Sequence, residues 1–397
     1  MDGWVVVGDE DRTWTSRIPA DLVSRRVRES HTGVYRAAVL PPIAHLEPVL
    51  PLALLADAER AAGLVARFDA ESEGTPVPFS ALLLRSESAS SSQIENITSG
   101  ARALAVAAID AQDATRGAGL VLGNVRAVER AITTGELDGE AVRAMHHDLL
   151  AESAPDSTPG PAGRWRREQV WIGGSGYGPH QAEFVPPHHE AVPAAVEDLV
   201  AFAARQDVPT LVHAALVHAQ FETVHPFVDG NGRTGRALVH VLLRRRGLVR
   251  HTVVPVSAGL LRDGNRYVDA LTAYRAGDVE PIVRRFVAAA EHAVEHGRDL
   301  LADLLDVRER WRSLVRAREG AAAWSVLDLL FRQPVLDVDT VAREVGVSPV
   351  NAAEALATLT DAGIVVEFSG RRLGRRWQAP EVISALDEFA RRAGRRS

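Results

Sequence analysis

One short segment, residues 225–236, interrupts a helical stretch and limits what the middle of this chain can form. Its sequence is His-Pro-Phe-Val-Asp-Gly-Asn-Gly-Arg-Thr-Gly-Arg. Pro226 ends the apolar helical pattern before it, and the two glycines with an Asn that follow favour left-handed or open backbone. From Gly232 onward, apolar residues recur at helical spacing. The segment therefore predicts a helix-loop-helix, with His225 at the end of the first helix.

The loop carries groups that suit a bound polyphosphate. Gly230, Asn231 and Gly232 bring backbone amides to a helix start, where unpaired N–H groups and the helix dipole favour anions. Arg233 and Arg236 share a helix face, point back toward the loop and can contact phosphate oxygens in pairs. We therefore interpret the loop as a nucleotide site.

Two further side chains add reactivity to this loop. The imidazole of His225 titrates near neutral pH and suits a general base. Asp229 offers a hard oxygen ligand for Mg²⁺, which needs few carboxylates when nucleotide phosphates fill its other positions. An Asx turn is the structural alternative for this Asp. Phe227 is expected to point into the core and to anchor the loop.

The segment resembles the active loop of the Fic (Fic/DOC) family, His-x-Phe-x-(Asp or Glu)-Gly-Asn-Gly-Arg-x-x-Arg, at every defined position. The resemblance implies transfer of AMP from ATP to a Tyr, Thr or Ser hydroxyl of a target protein or of the chain itself. It implies that His225 accepts the hydroxyl proton, that Asp229 binds Mg²⁺ and that Arg236 meets the γ-phosphate. The residues assigned to ATP are Gly230, Asn231, Gly232, Arg233, Thr234, Gly235, Arg236, Asn265 and Tyr267.

Two of these ATP assignments rest on a weaker similarity. Asn265 and Tyr267 lie in residues 257–274, which are similar to the adenosine side of the family. A polar surface turn explains the same letters. Among Fic relatives, kinase-like members carry Lys in place of the second loop glycine. Gly232 and the absence of lysine from the whole chain argue against that activity.

A second motif lies upstream, at residues 91–96, Ser-Ser-Gln-Ile-Glu-Asn. It resembles the inhibitory pattern (Ser or Thr)-x-x-x-Glu-(Gly or Asn) of Fic proteins whose inhibitory helix is N-terminal, which assigns Ser91 and Glu95 to inhibition. Glu95 is expected to pair with Arg236 and to repel the γ-phosphate. The same carboxylate could instead orient a water that removes AMP from modified targets. A capping box at a helix start, Ser92-x-x-Glu95, is the structural alternative.

The remaining pattern predicts a mainly α fold, a Fic-type helical bundle with a small β-hairpin flap. The flap is predicted from extended runs at 169–172 and 183–186 around a glycine-rich turn, and it resembles the Fic flap that holds a target by β-augmentation. Residues 1 to about 35 show no clear periodicity. Asp207 is a candidate N-cap, and a helix start is expected near Ser92. Predicted helices include 51–70, 93–114, 113–134, 140–151 and 207–224.

The C-terminal segment has a different pattern. Helices are predicted at 322–332, 339–346 and 348–362, followed by a hairpin at 364–378, which together indicate a winged helix-turn-helix. The predicted domains are 1–34 (N-terminal arm), 35–110 (Fic N-terminal region with inhibitory helix), 111–293 (catalytic core), 294–320 (linker helix) and 321–397 (winged helix-turn-helix).

This segment supports an alternative function, a DNA-binding regulator with the Fic domain as nucleotide sensor. Residues 371–397 hold eight Arg, yet the recognition helix, 348–361, holds Glu354 and no Arg. Duplex binding is therefore not favoured over protein docking or self-association, and a homodimer stays open.

Composition excludes several other classes. The 397 residues include no cysteine, which excludes disulfides, thiolate catalysis and Cys-based zinc sites. All 45 basic residues are Arg, so P-loop and protein-kinase chemistry lack their lysine. A net charge of −7 gives no overall attraction to nucleic acid or to anionic membranes. The start of the sequence lacks the features of a signal peptide, and we expect a cytoplasmic protein without membrane contact.

Overall fold

The computed structural model describes residues 4–16, 19, 21–151, 161–174, 177–370 and 374–394. Within them the fold is mainly helical. Its strands are β1 (Gly8–Trp14), β2 (Gly33–Val39), β3 (Val335–Asp337), β4 (Val366–Glu367) and β5 (Arg376–Gln378). The N-terminal helices are α1 (Arg25–Ser30), α2 (Leu52–Ser72), α3 (Phe79–Ile94), α4 (Ala101–Ile109), α5 (Arg116–Thr133) and α6 (Gly139–Leu150). The later helices are α7 (Val192–Ala203), α8 (Thr210–Val224), α9 (Asn231–Arg245), α10 (Val256–Leu261), α11 (Gly264–Arg275), α12 (Glu280–Leu314), α13 (Ala322–Arg332), α14 (Val338–Val345), α15 (Pro349–Asp361) and α16 (Pro380–Arg392).

The chain forms two compact units, and each unit gathers three separate segments. The first unit consists of Met1–Glu59, Arg130–Arg246 and Asn265–Phe286. The second consists of Arg60–Glu129, Gly247–Gly264 and Val287–Ser397. The consecutive domain bounds given by the sequence stay predictions.

The core of the first unit is built on α8 and α9. Every side chain from Leu211 to Val224 is buried, and so is every residue from Asn231 to Leu243. A helix that is buried on all sides lies within a core. The helix-loop-helix predicted from residues 225–236 is therefore present, and it lies at the centre of this unit.

The N-terminal segment contains regular structure, although its sequence shows no clear periodicity. Strand β1 pairs antiparallel with β2, from Gly8 opposite Val39 to Trp14 opposite Gly33. The alternation of exposed and half-buried residues in β1 is polar and weak, so it gave no clear periodic signal. Tyr35 and Ala37 of β2 are buried with Val185, which belongs to the predicted flap.

The sequence predicts a helix start near Ser92, and this prediction is wrong. Ser92 lies in the last turn of α3, not at the start of a helix, and Glu95 caps the C-terminal end of that helix. The capping-box alternative therefore fails, because a capping box needs a helix N-terminus. The alanine-rich stretch forms α4 from Ala101 only, since residues 95–100 are not helical. The sequence did not predict α3, because its serines usually favour turns, although most of α3 is buried.

The C-terminal part of the second unit contains the predicted order of three helices and a hairpin. Helix α13 has the predicted bounds, and α14 and α15 differ from them by one residue at each end. Strand β5 pairs antiparallel with both β3 and β4. The sequence missed β3 and α16, and the name winged helix-turn-helix remains an interpretation.

Asp207 does not cap α8, which begins at Thr210 after Pro209; its carboxylate instead accepts two hydrogen bonds from Arg205, at 2.9 and 2.7 Å. Among the described residues, none of the helices combines the length and the apolar composition that a bilayer crossing requires.

Candidate active site

The loop between α8 and α9 is fixed by two left-handed residues. His225 ends α8 with φ 49°, and its amide donates to the Phe221 carbonyl at 2.9 Å. Gly230 precedes α9 with φ 78°, where a Cβ would lie 2.9 Å from Leu149 Cδ2. His is one of the few side chains that tolerate this backbone region, and the glycine position leaves no room for another residue.

Side chains within the loop hold its shape by hydrogen bonds. The Asn231 amide accepts from the Phe227 N–H and donates to the Phe227 carbonyl, both at 2.9 Å. The Thr234 hydroxyl donates to the Gly230 carbonyl at 2.9 Å. These two side chains therefore shape the loop. The backbone N–H groups of Asn231, Gly232 and Arg233 occupy the first turn of α9, where intrahelical acceptors are lacking.

Arg166, which the sequence analysis missed, clamps the loop from behind. Its guanidinium is 2% exposed and donates to the carbonyls of His225 at 2.8 Å, Glu168 at 3.1 Å and Pro187 at 2.6 Å. Its own amide donates to the Pro226 carbonyl at 2.9 Å. Burial lowers the pKa of Arg166 to about 10, so it stays charged at neutral pH. Because it lies among other arginines, nothing in the sequence distinguished it.

His146 of α6 supports the other side of the loop. Its ring stacks on Phe227 with centroids 3.6 Å apart and an angle of 2° between the planes. Its Nε2 donates to the Asp229 carbonyl at 2.9 Å, and its Nδ1 accepts from the Gly163 amide at 2.9 Å. Phe227 is fully buried, which confirms its predicted anchoring role.

We expect this support to make the fold sensitive to acid. Burial lowers the pKa of His146 and of His213 from 6.5 to about 4. Between pH 6.5 and 4 the unfolded chain binds protons that the folded chain excludes. Each group should therefore remove about 1.4 kcal/mol of unfolding free energy per pH unit as the pH falls through this window. Urea denaturation at pH 7 and pH 5 would measure the loss.

His213→Gln is the matched variant for this prediction. Glutamine keeps a donor for the Phe202 carbonyl, which the His213 Nε2 contacts at 2.9 Å, but it does not titrate. The variant should lose less stability than the wild type between pH 7 and pH 5. An equal loss in both proteins would contradict the assignment.

Charged groups meet at the start of α9. The side chain of Asp229 is 46% exposed and lies 3.7 Å from an Arg233 nitrogen. Arg233 and Arg236 are each 2% exposed, three residues apart on α9. Buried guanidinium groups at a helix N-terminus create a positive potential that suits an anion. The exposed carboxylate of Asp229 remains accessible to a cation.

Other predicted ATP residues lie at different places in the first unit. Gly235 faces α8, where a Cβ would lie 2.8 Å from Phe221 Cδ1, so this glycine permits close helix packing. Tyr267 is buried in α11, and its hydroxyl lies 2.6 Å from His218 Nε2. Asn265 is exposed near the start of α11. Of these residues, only Asn265 is open to solvent.

The predicted flap is present as one antiparallel bridge between Ile172 and Phe184. The Ile172 amide donates to the Phe184 carbonyl at 2.9 Å, and the Glu183 amide donates to the Ile172 carbonyl at 2.9 Å. Strand β2 holds the flap, because the Ala38 amide donates to the Val185 carbonyl at 2.9 Å. Residues 175–176 of its turn lie outside the described residues.

A cavity of about 750 Å³ opens beside the loop. Val228 of the loop lines it, together with Trp165, His189 and several arginines. Arg164 and Arg167 in its wall are exposed. The cavity leaves room beside the loop for a ligand, and its lining favours an anionic one.

The second motif, residues 91–96, forms a complete helix end in the second unit. The Ile97 amide donates to the Ser92 carbonyl at 3.0 Å, and the Asn96 amide donates to the Gln93 carbonyl at 2.8 Å. These bonds define a Schellman motif, in which the residue after the cap is left-handed. Asn96 has φ 60°. The last position of the motif is therefore restricted to Gly or Asn by backbone geometry, while Glu95 is the cap itself.

The region that holds the candidate site is similar to a known protein family. Residues 136–243, which include the loop and the flap, match the model of the Fic/DOC family. A Fic family protein from Desulfovibrio desulfuricans G20 has a similar structure, with a TM-score of 0.55 at 20% identity, covering 86% of this chain and 98% of that protein. The chain therefore has a Fic-type fold, and residues 136–243 are similar to the Fic/DOC family.

Named relatives are similar to part of this chain. Protein adenylyltransferase fic-1 of Caenorhabditis elegans is 28% identical over 163 residues, which are 40% of this chain and 28% of that protein. Protein adenylyltransferase Fic of Nematostella vectensis is 29% identical over 155 residues, which are 38% of this chain and 32% of that protein. The chain thus spans less than a third of the length of these relatives.

Proposed function

We propose that this protein transfers AMP from ATP to a Tyr, Thr or Ser hydroxyl of a target protein or of itself. The observation that carries the proposal is the loop after α8, where an imidazole ends one helix and the first-turn amides of α9 begin the next. The names of the similar relatives, protein adenylyltransferases, support the same activity.

At the α-phosphorus the reaction forms one bond and breaks one, and a proton moves from the hydroxyl to His225. The target hydroxyl oxygen bonds to the α-phosphorus, the bond from that phosphorus to the bridging oxygen breaks, and pyrophosphate leaves. His225 accepts the hydroxyl proton. In the tautomer whose Nδ1–H faces the Glu222 carbonyl, at 3.4 Å, the lone pair lies on Nε2, which makes that nitrogen the base.

The first turn of α9 offers the groups that would bind the phosphates and neutralise their charge. The amides of Asn231, Gly232 and Arg233 suit the α- and β-phosphates, and Arg236 suits the γ-phosphate. The exposed carboxylate of Asp229 fits Mg²⁺, because the ion accepts a single protein oxygen when phosphates supply others. A bound Mg²⁺ would supply further neutralisation of phosphate charge.

Parallel incubation with α-labelled and γ-labelled ATP tests the activity. Transfer of AMP predicts protein labelled from the α-phosphate alone. Label from the γ-phosphate alone would identify a kinase and overturn the proposal. Absence of both labels from the wild-type protein and from the Glu95→Gly variant described next would also overturn it.

We further propose that Glu95 restrains the activity by competing with the γ-phosphate for Arg236. Glu95→Gly should raise AMP transfer by roughly 5- to 150-fold, the range of a coupling free energy of 1–3 kcal/mol. Asn96→Gly is the control, because it keeps the carboxylate and the left-handed backbone and should change little. Equal rates for Glu95→Gly and the wild type would contradict the restraint. Release of AMP from modified protein by the wild type alone would assign Glu95 to removal of AMP as well.

The alternative function, DNA binding through the C-terminal segment, finds less support. Within residues 371–397, Arg375 pairs with Glu367, while Arg376 pairs with Asp110 and with Asp113. Arg391 and Arg392 both pair with Glu388. These four arginines are therefore partly neutralised, and the other four lie outside the described residues. We propose that this segment binds another protein. A second copy of this chain, in a homodimer, would be one such partner.

A further inference from the structure

A group of metal-ligating side chains lies on α12 in the second unit, outside the Fic/DOC match. His292, Glu295 and His296 are spaced i, i+3 and i+4, so they share one face of the helix. Each offers one ligand atom, and these atoms all lie within 4.8 Å of one another. His292 Nδ1 is 3.6 Å from a Glu295 oxygen. The rings of the two histidines are nearly parallel, with centroids 6.2 Å apart.

The environment of His296 is an independent indication of a ligand. Both of its ring nitrogens are buried, and neither has a hydrogen-bond partner among the residues that the structure describes. The nearest carboxylate, that of Asp299, lies 3.9 Å from its Nδ1, beyond hydrogen-bond reach. A buried polar group without a partner is costly. A metal ion bound at one of these nitrogens would remove part of that cost.

We propose that His292, Glu295 and His296 bind a divalent transition-metal ion of the zinc class. Two imidazole nitrogens and one carboxylate oxygen are a donor set that zinc accepts, with water as the fourth ligand. Mg²⁺ and Ca²⁺ prefer oxygen ligands, so this site is chemically distinct from the one proposed at Asp229.

Arg262 regulates access to this site. Its Nη1 lies 3.3 Å from His292 Nδ1, the nitrogen that also faces Glu295. An incoming cation must displace this guanidinium and overcome its charge. Arg262→Gln removes the charge and should therefore tighten metal binding. Nonspecific metal binding by scattered surface histidines should not change in this variant.

Titration of the full chain with Co²⁺, followed by its visible absorption, tests the site without reference to transfer activity. The protein carries no affinity tag and is stripped of metal by dialysis against a chelator. We expect one preferred tetrahedral site from which Zn²⁺ displaces Co²⁺. His292→Ala should weaken binding by more than the roughly 10–100-fold that loss of an outer-shell partner costs a metal site. Zn²⁺ should raise the Tm of the wild type and not that of His292→Ala.

The matched control is His251→Ala, since His251 also lies near a carboxylate, 3.6 Å from Glu73, but belongs to no group of potential metal ligands among the described residues. It should bind Co²⁺ as the wild type does. If a histidine variant fails to fold, Glu295→Gln replaces it in the titration, because Glu295 is exposed. The proposal is overturned if His292→Ala and Glu295→Gln bind like the wild type, or if Arg262→Gln weakens binding. It is also overturned if binding is lost instead in His188→Ala, which removes a ligand from a second group of this kind among the described residues, His188, His189 and Glu190.

Discussion

His225→Asn should lower the rate of AMP transfer by about 10²–10⁴-fold, the usual contribution of a positioned general base. Asparagine tolerates the left-handed backbone that His225 adopts at φ 49°, so the loop should keep its shape. It offers no group that accepts a proton near neutral pH. The assay measures initial rates of α-labelled ATP incorporation. It uses the Glu95→Gly background, because the higher rate expected there makes a loss of this size measurable.

ATP affinity is the control for this loss. The amides and guanidinium groups that are proposed to bind phosphate do not involve the imidazole, so the Kd for ATP should stay near that of the parent. A parallel loss of ATP binding would mean that the loop had collapsed. If His225→Asn keeps the turnover of the parent, His225 is not the general base.

Arg166→Met should lower AMP transfer by roughly 10²-fold, because a shift of about 1 Å in a reacting group can cost that much. Methionine fills a similar volume but makes none of the hydrogen bonds from Arg166 to the carbonyls of His225, Glu168 and Pro187. Each buried carbonyl left without a donor also costs about 1–3 kcal/mol of unfolding free energy. The effect on kcat should exceed the effect on KM for ATP.

Two neighbouring variants separate positioning from general damage. Arg167→Met removes an exposed arginine next in the chain and should leave the rate nearly unchanged. Arg166→Lys keeps the charge but loses the planar fork, so it should restore only part of the rate. If Arg167→Met lowers the rate as much as Arg166→Met, the clamp on His225 is not the cause.

The strongest sequence signals were those that special backbone geometry imposes. Pro226 and Gly230 mark the end of α8 and the start of α9, and a proline and a left-handed glycine leave few alternatives to a break between helices. Helix α13 was predicted within its bounds because its apolar spacing is regular. Local rules of this kind need no knowledge of distant contacts.

What the sequence missed depends on contacts between segments far apart in the chain. Arg166 reaches His225 across 59 residues, and His146 reaches Asp229 across 83 residues. Neither side chain has a local pattern that distinguishes it from its neighbours. Helix α3 was missed because serines usually favour turns, whereas here they are buried in packing that overrides local preference. The support of the flap by β2 is likewise a long-range contact.

A crystal structure with Mg²⁺ and a non-hydrolysable ATP analogue tests the central claim most directly. We predict phosphate oxygens within hydrogen-bond distance of the amides of Asn231, Gly232 and Arg233. We also predict the α-phosphorus on the side of the loop that faces His225, and the metal ion bound to Asp229. A nucleotide bound elsewhere, with the first turn of α9 empty at saturating concentration, would contradict the proposed site.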